Sequence, residues 1–284
     1  MPELKATGGR PGIWYDTVGS RSGNPLVLLH GFTGTHHTWD LLRERLGVGN
    51  LLILPDLPGH GRSGTSSSRD GMDVGATADG VAEVARLASG GRRAALLGYS
   101  LGGRIALDLA CRHRELLSCL ILEGASPGVE RDDERQARRA EDDALADEIE
   151  KRGVEWFVDH WQDTPLFATQ KELPRSVFDG IRRDRLSNST HGLAMSLRAA
   201  GTGQMVPLWK AMEAIKIPVL IVVGKRDRKY AETAEAMRRR MPGSVVAEVE
   251  GAGHCVHLEK PTEFANLVER FLKDSQVVLR AAGE

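Results

Sequence analysis

Seven short apolar runs recur along the chain, at residues 13–16, 25–30, 51–54, 94–97, 118–123, 218–223 and 245–249. Stretches with helical periodicity separate most of them, at 39–46, 77–87, 104–111, 231–241 and 261–273. Short strands that are apolar throughout are buried on both faces, and alternation with helices is how a mostly parallel sheet acquires that double cover. The predicted fold class is therefore α/β. The alternation fails between about residues 126 and 205, where no strand is legible, so a helical insertion is expected there. The predicted organisation is a core of residues 1–125 and 206–284 carrying a cap of residues 126–205. A chain of 284 residues suffices for one large domain with such an insertion.

Residues 130–151 carry fifteen charges in twenty-two positions, ten acidic and five basic. Such a run reads as a solvated helix laced with i,i+4 pairs. Gly153 breaks it. Beyond the break, Trp156, Phe157, Trp161 and Phe167 form a more apolar stretch suited to packing a cap onto a sheet.

The global balance excludes several functions. A net charge of -1 gives no electrostatic case for binding nucleic acid or an anionic membrane. No apolar run approaches the ~18–20 residues of a membrane span, and MPELKATGGRPG lacks the apolar centre of a signal peptide. Cys111, Cys119 and Cys255 form neither a metal-like spacing nor an even disulfide set. The expectation is a cytoplasmic protein that acts on a small molecule, with no metal and no cofactor. The oligomeric state is not legible.

One connection carries chemistry. In ALLGYSLGGRIAL, residues 95–107, an apolar run turns directly into a helical stretch through Gly98-Tyr99-Ser100-Leu101-Gly102. A strand that bends at once into a helix strains the residue at the bend, and glycines on either side remove colliding side chains. This G-x-S-x-G elbow exposes the serine hydroxyl and aims the next N–H at the same space. The Ser100 hydroxyl needs a histidine to take its proton and a carboxylate to hold that histidine in one tautomer. Asp227 stands just past the 218–223 run and His254 just past the 245–249 run, in the chain order Ser, Asp, His that this arrangement uses. His30-Gly31-Phe32-Thr33-Gly34 follows the 25–30 run, so the N–H groups of Phe32 and Leu101 are candidate oxyanion donors. His60, in DLPGHG, is expected to order a nearby loop.

HGFTG, DLPGHGRS, GYSLGG and GAGH resemble the α/β-hydrolase superfamily. GYSLGGRIAL, EGASPG, RQARRAEDDALADEIEKRG, HWQDTPLFATQ, LRAAGTGQMVPLW and GAGHCVHLEKP are more narrowly similar to the MenH family of menaquinone biosynthesis, cap included. Cys255-Val256 and Met205-Val206 depart from that family's usual residues. The resemblance implies elimination of pyruvate from a tricarboxylate substrate, 2-succinyl-5-enolpyruvyl-6-hydroxy-3-cyclohexene-1-carboxylate. It also implies that Tyr99, Arg104, Arg138, Trp161 and Arg185 bind that substrate. It accounts for Arg104, whose charge opposes the helix dipole unless it meets an anion. Position alone leaves open which of Arg138 and Arg139 faces a pocket. Two other functions suit the same scaffold, a carboxylesterase or carbon–carbon bond hydrolase and a non-catalytic binder. A neutral ester would give three arginines nothing to do.

Overall fold

A computed structural model describes residues 3–7 and 9–281. Its eight strands are β1 (Glu3–Leu4), β2 (Ile13–Gly19), β3 (Asn24–Leu29), β4 (Asn50–Pro55), β5 (Ala94–Tyr99), β6 (Leu117–Glu123), β7 (Val219–Gly224) and β8 (Ser244–Val249). They form one sheet in the order β1-β2-β4-β3-β5-β6-β7-β8. β1 and β2 join antiparallel, and every pairing from β4 to β8 is parallel. The seven apolar runs are the last seven of these strands. Strand β1, only two residues long, offers no periodicity to read.

The helices are α1 (Asp40–Leu46), α2 (Val74–Ala88), α3 (Leu101–Arg112), α4 (Asp132–Gln162), α5 (Arg175–Leu186), α6 (Thr190–Ala200), α7 (Arg228–Arg240), α8 (Val256–Glu259) and α9 (Pro261–Ala281). Each face of the sheet has its own core. Helices α2 and α3 pack on one face through Val81, Val84, Ile105 and Leu109, and α1 and α9 pack on the other through Leu42, Leu46, Phe264 and Val268. Covering both faces is why β5 is buried along its whole length. None of the described helices is long and apolar enough to cross a membrane.

Helices α4, α5 and α6 lie between β6 and β7 and supply no strand. Gly153 interrupts α4 at φ 86°, ψ 169°, a conformation suited to glycine. The two limbs of α4 then close on α6, where Ala146, Ile149 and Phe157 bury against Leu193, Ala194 and Leu197. Trp161 bridges this cluster to Phe167, which packs with the sheet core. Polar bonds also tie cap to core. Asp184 accepts from Thr35, Asn188 bonds Gly61 and Thr33, and Arg226 pairs with both carboxylate oxygens of Glu172 at 2.7 and 2.8 Å.

No residue in the first turns of α4, 132–141, is fully buried. Local opening there breaks few apolar contacts and should cost little free energy. Amides of 132–141 should therefore exchange before those of β5 and β6 in a hydrogen-exchange measurement. Full protection of this segment, equal to that of β5 and β6, would contradict the low local stability inferred for it.

Candidate active site

Strand β5 enters α3 through Ser100 at φ 51°, ψ −108°. Ser100 and Thr33 are the two non-glycine residues with positive φ among the described residues, a conformation that costs about 1–3 kcal/mol each. The glycines hold the bend. A Cβ on Gly98 would lie 2.3 Å from the Gly102 carbonyl oxygen, and one on Gly102 would lie 2.4 Å from that of Leu29. The Ser100 N–H donates to the Glu123 carbonyl at 2.8 Å, which anchors the bend to β6.

The expected partners arrive at the ends of β7 and β8. Asp227 caps α7, accepting from the Tyr230 N–H through Oδ1. Its Oδ2 accepts from His254 Nδ1 at 2.7 Å. His254 Nε2 lies 3.2 Å from Ser100 Oγ, placed to accept the hydroxyl proton. The imidazole is buried, with the Tyr230 ring 4.6 Å and the Tyr99 ring 5.4 Å away. Ser100, Asp227 and His254 thus form one connected unit.

The second strained residue sits opposite the elbow. The Thr33 N–H donates to His60 Nε2 at 3.3 Å, and its carbonyl accepts from Asn188 of the cap at 2.8 Å. His60 Nδ1 donates to the Pro58 carbonyl at 3.1 Å. Burial pushes the His60 pKa down to about 3, so the ring stays neutral and keeps Nε2 as an acceptor. His60 therefore orders the loop that carries Phe32, as expected. Neither the Phe32 N–H nor the Leu101 N–H has an acceptor among the described residues. Leu101 N–H belongs to the first turn of α3, where such groups lack intrahelical partners.

Ser100, Phe32, Leu101, Arg104, Arg138 and Trp161 line one cavity of about 250 Å³. Arg104 Nη1 donates to the Ala200 carbonyl at 2.7 Å. Burial lowers its pKa to about 10, which leaves a cation at neutral pH. Arg138 Nε donates to the buried Asp142 at 2.8 Å, while Arg139 is exposed; Arg138 is the one that faces the cavity. Lys229 and Tyr230 also line it. Neither was singled out from the sequence. Their place two and three residues past Asp227 was the signal available.

Tyr99 and Arg185 lie elsewhere. They line an adjoining cavity of about 330 Å³ that shares Phe32 with the first. There the Tyr99 hydroxyl and Cys255 Sγ are 2.6 Å apart, Gln170 Nε2 donates to the same sulfur at 2.9 Å, and Arg185 donates to Gln170 Oε1 at 3.0 Å. Arg185 Nη1 is buried without a partner. The departure at Cys255 thus falls in this second cavity. The other departure sits by the first, with Met205 Sδ 4.0 Å from Arg104 and Val206 exposed.

Residues 26–267 match the model of the alpha/beta hydrolase family. The chain is 34% identical over 260 residues to the 2-succinyl-6-hydroxy-2,4-cyclohexadiene-1-carboxylate synthase of Yersinia pestis bv. Antiqua (strain Nepal516), covering 88% of each. It is 36% identical over 256 residues to a Bacillus subtilis (strain 168) protein assigned provisionally to the same name, covering 89% of this chain and 92% of that one. This chain belongs to the MenH family. The solved structure of MenH from S. aureus superposes with a TM-score of 0.86 at 35% identity, over 93% of this chain and 98% of the other. MenH-family likeness thus extends through the cap as well as the sheet.

Proposed function

We propose that the chain is a lyase of menaquinone biosynthesis. It would form 2-succinyl-6-hydroxy-2,4-cyclohexadiene-1-carboxylate and pyruvate from 2-succinyl-5-enolpyruvyl-6-hydroxy-3-cyclohexene-1-carboxylate, with no cofactor. The observation that carries this reading is that Ser100, linked through His254 to Asp227, opens onto the cavity that Arg104 and Arg138 also line.

In this reading His254 Nε2 takes the Ser100 proton, and Ser100 Oγ takes the ring proton beside the succinyl carbonyl. Asp227 holds the imidazole in the accepting tautomer and stabilises the imidazolium. Electrons from the broken C–H bond enter the carbonyl, whose oxygen becomes an enolate. Phe32 N–H and Leu101 N–H are the donors for that charge. Collapse of the enolate through the ring alkene breaks the C–O bond to the enolpyruvyl group. Pyruvate enolate departs and takes up the proton at carbon. Arg104 and Arg138 seat carboxylates by charge-assisted hydrogen bonds, and Trp161 walls the ring. An arm of the substrate that passes Phe32 would meet Tyr99 and Arg185, whose partnerless Nη1 suits an anion.

The direct test supplies the enolpyruvyl substrate, made in situ, and follows pyruvate together with the diene absorbance. Both should rise with equal stoichiometry. A second measurement separates this activity from ester hydrolysis. A cavity lined by guanidiniums does not suit a neutral acyl chain, so p-nitrophenyl butyrate should turn over far more slowly than with a dedicated esterase. Esterase-level turnover without pyruvate release would establish a serine hydrolase instead.

A further inference from the structure

Two helices begin at the Ser100 cavity, and each places a cation in its first turns against its own dipole. In α3 this is Arg104 and in α7 it is Lys229. The first turn of α3 contains no acidic residue to compensate, and in α7 the capping Asp227 is already bonded to the Tyr230 N–H and to His254, whereas α4 begins with Asp132, Asp133 and Glu134 in the favourable sense. The three cations that line this cavity differ in what they already hold. Arg104 is bonded to the Ala200 carbonyl and Arg138 to Asp142. The Lys229 ammonium makes no hydrogen bond or ion pair among the described residues. It is also the exposed member of the set, standing where the cavity meets solvent.

We propose that Lys229 binds the carboxylate of the departing three-carbon group. This rests on the elimination reading above. A leaving group must exit to water, so its carboxylate belongs toward the open side of the cavity. A flexible ammonium in solvent holds an anion loosely, which suits a group that must be released, whereas the rigid guanidinium fork suits the part that is retained. A charge at the rim also draws an anionic substrate inward, an effect that salt weakens.

The experiment compares wild type, Lys229→Gln and Lys229→Arg in pyruvate release across ionic strength. It adds calorimetric binding of 2-succinylbenzoate, which keeps the ring and succinyl carboxylates and lacks the enolpyruvyl arm. In Lys229→Gln, kcat/KM should fall about two- to fivefold at low salt, the range of a solvent-screened pair. The gap should narrow at high salt. Lys229→Arg should recover most of the loss, and all three proteins should bind 2-succinylbenzoate alike. Unchanged kcat/KM, a loss indifferent to salt, or an equal loss of 2-succinylbenzoate affinity would each overturn the assignment while leaving the lyase reading intact. A wild-type protein that releases no pyruvate would overturn both.

Discussion

Ser100→Ala, Asp227→Asn and His254→Ala should each lower pyruvate release by about 10²–10⁴-fold, the scale of losing a general base or the group that orients it. The three side chains are linked by bonds of 2.7 and 3.2 Å, so they should behave as one unit. Once one is gone, removing the others should change the rate little further. Asp227→Asn is the most informative single change. It keeps the shape of the cap on α7 and removes the charge that fixes the His254 tautomer. The check is the kcat of the single and triple variants, with circular dichroism to confirm folding. A triple variant near the wild-type rate would refute the triad mechanism.

Arg104→Ala should lower kcat/KM about ten- to a hundredfold, because a substrate carboxylate then enters a partly buried site without its charge-assisted partner. Arg104→Lys should recover only part of this, since an ammonium cannot reproduce a bidentate fork. Stability separates a substrate ligand from a structural strut. Loss of the bond to the Ala200 carbonyl removes about 1.5–3 kcal/mol. Relief of the opposed helix dipole returns about 0.3–1 kcal/mol, and alanine is the better helix former. The melting temperature should therefore shift by only a few degrees. A large drop in melting temperature with kcat/KM intact in the folded fraction would make Arg104 structural.

The sheet was legible because its signal is local. Each run of β-branched and aliphatic residues reports its own burial, and seven of eight strands follow from that. The convergence of Ser100, Asp227 and His254 was legible for a related reason: each stands just after a strand, and strands of a parallel sheet end on one edge. The division of the cavities was not legible. The wall between Arg104 and Arg185 is built from Phe32, Trp161 and Phe167, which stand in the loop after β3, at the end of α4 and beyond it. No local pattern says on which side of that wall an arginine falls. Lys229 was missed because exposure and orientation at a helix start depend on the cap lying over it. Arg138 and Arg139 show the same limit from the other side, since adjacent helical residues differ by about 100° in direction and only the packing of α4 on α6 selects one.

The two strained residues, Thr33 and Ser100, also bear on how such a chain adapts to heat. Both hold a left-handed backbone, and glycine at either position would relieve it. Relief of strain at Ser100 would remove the hydroxyl on which the proposed reaction depends, so the bend there can be relaxed only at the expense of that chemistry. A lineage moving to hotter surroundings must find its added stability elsewhere, in surface ion pairs or in the cap.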